Sequence, residues 1–160
     1  MSTDELHILP EDKQAAHNRI VELEKEIQDL GPEFYDVFNQ SSETWHDNAP
    51  FDALRDRQSV LAAELQSLRG ILKNAAISVP KQKKNTIGIG SHVTILNTDL
   101  QISFKYYIAG DWTYRTGEKI NESIVMSTKA PLAQALLGKK VGDSIHFRHP
   151  FTIQAIDLDS

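Results

Sequence analysis

Cysteine is absent from the 160 residues. That excludes a disulfide framework, thiolate metal sites, a cysteine nucleophile and a redox pair. Long apolar runs are absent too, and nothing approaches the ~20 residues that a membrane span requires. With 40% hydrophobic and 24% charged residues, the composition is that of a soluble globular protein. The opening stretch, Met1 to Lys13, places acids before any base and holds no long apolar core. It resembles neither a secretory signal nor a transit peptide, so a cytoplasmic protein without membrane attachment is the expectation. The length allows one domain or two small ones.

The formal net charge of −5 conceals an asymmetry. Residues 1–78 hold 15 acidic and 7 basic side chains, a net of −8, whereas residues 79–160 hold 7 and 10, a net of +3. A change of sign at one boundary points to two domains with different partners. The boundary segment, residues 79–86, combines Pro80 with Lys81, Lys83 and Lys84 and has no periodicity. It reads as a linker.

The first part, residues 1–78, reads as a helical hairpin. Ala16, Ile20, Leu23, Ile27, Leu30, Phe34 and Val37 recur in alternating steps of four and three, the seam of a coiled coil. A second series runs Phe51, Leu54, Gln58, Leu61, Leu65, Leu68, Leu72 and Ala75, with Gln58 its one polar member. Folding the chain near Thr44 matches Val37 with Phe51, Leu30 with Gln58, Leu23 with Leu65 and Ala16 with Leu72, layer by layer. Each helix would be about 40 Å long at ~1.5 Å per residue. Pro10 followed by Glu11 and Asp12 is a helix start. Gly31-Pro32 predicts a kink, because Pro32 removes a backbone hydrogen bond to Gln28. Gly70 weakens the second helix.

The far end of this hairpin is acidic. Between Gly31 and Leu54 stand Glu33, Asp36, Glu43, Asp47 and Asp52, with no lysine or arginine. Residues 39–50 carry the composition of a loop. Carboxylates held together cost stability unless a cation or a basic partner is near, although a solvated loop is the ordinary explanation of a charge run. His46 beside Glu43 and Asp47 is too thin a ligand set for zinc. Trp45 at the loop tip either packs beneath the loop or makes an interface contact.

The second half, residues 87–160, reads as a small sheet with one helix. Ser91–Leu96 and Gln101–Ile108 alternate polar and apolar around a turn at Asn97–Asp99. Ser123–Met126, Ser144–Phe147 and Phe151–Ile156 are further strands, and Val141-Gly142-Asp143 is a tight turn. Ala130–Leu137 is a short helix with Pro131 at its start and Gly138 just past its end. The whole is α+β. No catalytic constellation is visible. Ile87-Gly88-Ile89-Gly90 lacks the third glycine and helix of a dinucleotide loop, and the serines and six histidines show no triad spacing.

At this point the residues carry a family. Ala130-Pro131-Leu132-Ala133-Gln134-Ala135-Leu136-Leu137-Gly138-Lys139-Lys140-Val141-Gly142-Asp143 resembles the SPLGRALLGKKVGD signature of the bacterial Gre transcript cleavage factors. Ile87–Leu96 resembles the start of their C-terminal domain, Gly31-Pro32-Glu33 sits where they have Pro-Glu, and Asp47-Asn48-Ala49-Pro50-Phe51 resembles their ENAEY tip. The likeness runs from about Arg19 to about Ile156 and implies an N-terminal antiparallel coiled-coil hairpin followed by an FKBP-like α+β domain. In that family the C-terminal domain docks on RNA polymerase and the coiled coil enters its secondary channel. Tip carboxylates there help to hold Mg²⁺ in the polymerase active centre, so that the backtracked transcript is hydrolysed. Mg²⁺ takes one or two carboxylates and keeps waters, and a two-metal centre stabilises both attacking and leaving oxygens.

Carried over, the resemblance makes Glu43 and Asp47 the metal-positioning pair, with Asp52 as accessory acid. It makes Pro131, Leu132, Leu136, Gly138, Lys139 and Lys140 the docking set, although the helix residues are equally explained by packing and the lysines by the helix dipole. The Mg²⁺ belongs to the polymerase, so the chain is a cofactor of the polymerase rather than an enzyme, and a monomer. Contact with DNA or nascent RNA is expected only inside the elongation complex, because an acidic finger repels phosphate. The tip departs from the family: Thr44 stands where an aspartate precedes the ENAEY glutamate, Asp47 replaces that glutamate, and Pro50 replaces the second. A second reading follows, in which the chain occupies the channel and regulates or inhibits without cleavage. An FKBP-like domain also raises peptidyl-prolyl isomerisation, but fold does not imply function and no aromatic pocket pattern accompanies it.

Overall fold

The computed structural model describes residues 5–41, 49–77 and 86–158. In chain order these form β1 (Leu6–Ile8), α1 (Pro10–Ser41), α2 (Ala49–Lys73), β2 (Ala75–Ile77), β3 (Ser91–Asn97), β4 (Ile102–Ile108), β5 (Lys119–Ile120), β6 (Ser123–Met126), α3 (Pro131–Leu136), β7 (Ser144–Phe147) and β8 (His149–Leu158). The architecture is α+β, two long helices followed by a sheet-rich region.

The chain divides into two compact units, but not where the sequence boundary fell. One unit is Gln14–Lys73, and the other joins Met1–Lys13 to Asn74–Ser160. The hairpin unit is therefore shorter at both ends than residues 1–78. The physical cause is β1, which pairs in parallel with β2, Leu6 opposite Ala75 and Ile8 opposite Ile77. Of the expected linker, residues 79–85 lie outside the described residues, while Thr86 forms an antiparallel bridge to Lys140.

In the hairpin unit the seam is as the spacing predicts. Ala16, Leu23, Leu30, Leu61, Leu65 and Leu68 are buried, and Gln58 is exposed. The Phe34 and Phe51 rings meet edge to face at 5.6 Å. The Arg19 guanidinium donates two bonds to Glu64, Nε to Oε1 at 2.9 Å and Nη2 to Oε2 at 3.0 Å, and Arg69 donates to Glu24 at 3.0 Å. Helix α1 continues unbroken through Pro32. One missing backbone bond is tolerated there because Leu30 and Phe34 on either side are held in the seam. Of the expected loop over residues 39–50, both ends are helical, since α1 extends to Ser41 and α2 begins at Ala49, and residues 42–48 lie outside the described residues. Pro50 fits the first turn of α2, where no backbone N–H is needed.

The other unit is built on a six-stranded sheet of order β5-β6-β4-β3-β8-β7. Within this sheet, among the described residues, only β4 and β6 pair in parallel. Alternation sends Val93, Ile95, Ile108 and Ile153 to one face, where Ala133 and Leu136 of α3 cover them. On the other face Tyr107 and Val125 meet Leu9, just before α1. The N-terminal strap thus covers part of this face. It is gripped by one loop. Asp111 N–H donates to the His7 carbonyl at 2.7 Å, and His7 N–H donates to Asp111 Oδ2 at 2.7 Å. Asp111 also accepts from the Thr128 hydroxyl. Gly110 has to be glycine, since a Cβ there would stand 2.7 Å from the Ile8 Cα.

Candidate functional site

Two regions carry the residues that the sequence singled out. The first is the distal half of the hairpin. Glu33 and Asp36 on α1 and Asp52 in the first turn of α2 are all exposed. Asp52 lies 4.0 Å from Arg55, one turn on, a solvated contact that leaves its carboxylate accessible. Glu43 and Asp47, with Thr44, Trp45 and His46, lie outside the described residues. Among the described residues no three His, Asp or Glu side chains come together as a metal site. Chemically, the described part offers separate carboxylates along a solvated helix pair, suited to a cation or basic surface supplied from elsewhere.

The second region is α3 and the turn after it. Here the expected docking set divides. Leu136 is 0% exposed and belongs to the core, packed with Val93, Ile95 and Ile153. It is therefore not a surface residue, because the six-residue helix has to spend that side chain on covering the sheet. Leu132 is half-buried against the same core. Pro131, Gly138, Lys139 and Lys140 are exposed. Gly138 adopts φ +80°, which ends the helix. Its N–H donates to the Ile87 carbonyl at 2.9 Å, and Ile87 N–H donates to the Lys139 carbonyl at 2.9 Å. Lys140 N–H bonds Asp143 Oδ2 at 2.8 Å. The two lysine ammonium groups are thus carried on a fixed backbone.

A third cluster escaped the sequence reading. Asp12, 0% exposed, accepts from the Thr113 hydroxyl at 2.9 Å and from Arg115 Nε at 3.3 Å and Nη2 at 3.4 Å. Arg115 lies 5.6 Å from the centres of both the Tyr107 and Tyr114 rings. Burial favours its neutral form, but the Asp12 hydrogen bond and charge outweigh this, and the guanidinium is held above its ordinary value. By its position Asp12 reads as a helix-dipole acid, and about a hundred residues separate it from its partners. No spacing signal could have joined them.

A two-unit α+β protein, with an acidic-ended helical hairpin and a sheet domain closed by one short helix, is the class that fold and site define. The family model described as "Transcription elongation factor, GreA/GreB, C-term" matches residues 81–156. A GreA transcription elongation factor of Nautilia profundicola is 30% identical over 114 residues, 71% of this chain and 67% of that protein. One from Cereibacter sphaeroides is 34% identical over 104 residues, 65% of this chain and 66% of that protein, just under two thirds of its length. The chain belongs to the GreA/GreB family. Among solved structures it is similar to the transcription factor Gfh1, at 20% identity and a TM-score of 0.43 over 95% of this chain and 97% of that one. It is likewise similar to GreA factor homolog 1 of Thermus thermophilus, at 19% identity and a TM-score of 0.39 over 96% of this chain and 99% of that one.

Proposed function

We propose that the chain is a transcription elongation factor that binds RNA polymerase through its sheet unit. Its helical hairpin enters the secondary channel and stimulates cleavage of backtracked transcripts. The observation that carries this reading is the hairpin's distal half, where five carboxylates fall between Gly31 and Leu54 with no basic residue. Family membership supports it, as does the name elongation factor borne by the relatives.

In this reading the Mg²⁺ is the polymerase's own. Glu43 and Asp47 each offer it one carboxylate, and Asp52 stands near as an accessory acid. The metal would stabilise the attacking and leaving oxygens, and the factor's part is to position charge. Exposed Pro131, Gly138, Lys139 and Lys140 form the docking edge, with Leu132 behind them. The factor acts as a cytoplasmic monomer, and it meets nascent RNA and DNA only within the elongation complex.

A second reading is favoured by the tip itself. Thr44, Asp47 and Pro50 stand where the family carries acids, and Asp is shorter than Glu by about 1.5 Å, a large error for a metal that binds at ~2.1 Å. The chain would then occupy the channel and regulate transcription without cleavage. A backtracked elongation complex with labelled RNA, Mg²⁺ and the purified protein separates the two. Shortened RNA that regrows on adding nucleotides, lost in Glu43→Gln and Asp47→Asn, supports cleavage. No shortening while the protein still co-purifies with polymerase supports the channel regulator. No polymerase binding removes both.

A further inference from the structure

The hairpin's apolar seam does not by itself choose a register. Sliding α2 along α1 by one heptad would still set Leu23 against Leu72 and Leu30 against Leu65, or in the other direction Ile20 against Leu61 and Ile27 against Leu54. Apolar residues meet in every central layer of all three arrangements except the one that holds Gln58, and each slip leaves only end layers unmatched. We propose that the charges flanking the seam select the observed register, with Arg19 as the deciding residue.

The flanking positions lie one residue before the seam on one side of the hairpin and one residue after it on the other. In antiparallel pairs these positions set alignment. In the observed register Arg19 faces Glu64 before the seam and Glu24 faces Arg69 after it. Arg19 also reaches Glu22 at 3.1 Å and Glu26 at 3.5 Å, so one guanidinium answers three carboxylates. The same spacing sets Glu26 against Arg57.

Both one-heptad slips break the observed charge pairs. One brings Arg19 against Arg57 and Glu24 against Ala62, and the other brings Glu26 against Glu64 and Arg19 against Ile71 while setting Glu33 against Arg57. Each slip therefore creates a like-charge pair where the observed register has an opposite one. A single exposed ion pair adds little to stability. What counts here is the difference between registers whose central apolar layers are equally matched. A slip moves the hairpin's turning point by half a heptad, about 5 Å along the axis. On the cleavage reading that would displace the tip acids. The register inference stands without that reading.

The rival determinant is the three-residue pairing of β1 with β2 in the other unit. Because the chain has no cysteine, spin labels can be placed uniquely on cysteines introduced at exposed Gln28 and Gln66. Pulsed electron resonance then reads their separation, and a one-heptad slip changes their offset along the hairpin axis by about 10 Å. The labelled parent is expected to give one distance. Arg19→Glu, which repels Glu64 and attracts Arg57, is expected to add a second population at longer distance, because the slip that pairs it with Arg57 carries Gln66 away from Gln28. Combining Arg19→Glu with Glu64→Arg is expected to restore the single distance. An unchanged single distance in Arg19→Glu overturns the proposal and assigns register to the strands. If Arg19→Glu instead loses helix signal, recovery in the double variant supports the proposal and failure to recover overturns it. Running transcript cleavage on the same proteins separates the two ideas. A displaced distance with unaltered cleavage keeps the register inference and removes the tip-positioning consequence.

Discussion

Replacing Asp12 with alanine is the most direct probe of how the sheet unit holds its N-terminal strap. The substitution leaves Arg115, whose side chain is 12% exposed, without its main carboxylate, and leaves the buried Thr113 hydroxyl without its acceptor. Breaking a buried pair from one side costs about 3–5 kcal/mol. The Arg115 distances of 3.3 and 3.4 Å exceed those of a tight charge-assisted bond, and Glu11 remains 3.6 Å away. The lower end, ~3 kcal/mol, is therefore expected. That corresponds to a rise on the order of 100-fold in amide exchange at Leu6 and Asp111, whose N–H groups bond the Asn74 and His7 carbonyls.

Loss of the helix-dipole contribution alone would cost only about 0.3–1 kcal/mol. Asp12→Asn keeps an acceptor for Thr113 and should fall between the two. Asp12→Leu combined with Arg115→Met and Thr113→Val should be nearly neutral, because the desolvation cost of the ions disappears with them and no buried hydroxyl is left without its acceptor. Hydrogen exchange read by mass spectrometry or NMR is the assay, since it resolves the two units separately. A rise below about tenfold in Asp12→Ala would refute the reasoning. So would equal loosening of amides in α2, whose residues make none of these contacts.

The α3 region separates packing from docking. Leu136→Ala should cost about 2–5 kcal/mol in urea unfolding, whereas Lys139→Ala with Lys140→Ala should leave the unfolding midpoint within ~0.5 kcal/mol of parent and, on the proposed function, weaken polymerase co-purification. Acid should loosen the hairpin through Glu64. Its carboxyl is lowered from the ordinary 4.5, first by the Arg19 hydrogen bond and then by its charge, while partial burial opposes. The folded state therefore holds the proton less tightly than the unfolded one. The stabilisation is present above the ordinary value and is lost as pH falls through the lowered one. Thermal melts of helix circular dichroism at neutral and acid pH should differ more in the parent than in Arg19→Gln. Equal differences would contradict the assignment.

The sequence by itself determined the elements whose cause is local periodicity. The heptad seam announced both helices and their antiparallel match, because buried positions on a helix recur every three or four residues whatever the rest of the chain does. Alternation announced β3 and β4, short apolar segments marked β6, β7 and β8, and the Pro131 and Gly138 punctuation announced α3. Chain-long resemblance pointed to the family that the comparisons establish. Strands β1, β2 and β5 were illegible, since two or three residues are too few to show a period. Only the tertiary structure decided that residues 5–13 belong with the sheet. That depends on Gly110 admitting a backbone and on Asp12 meeting Arg115 across about a hundred residues. It also took Leu136 from the docking set, because a periodic pattern says that a side chain is apolar, while burial depends on what the rest of the fold leaves uncovered.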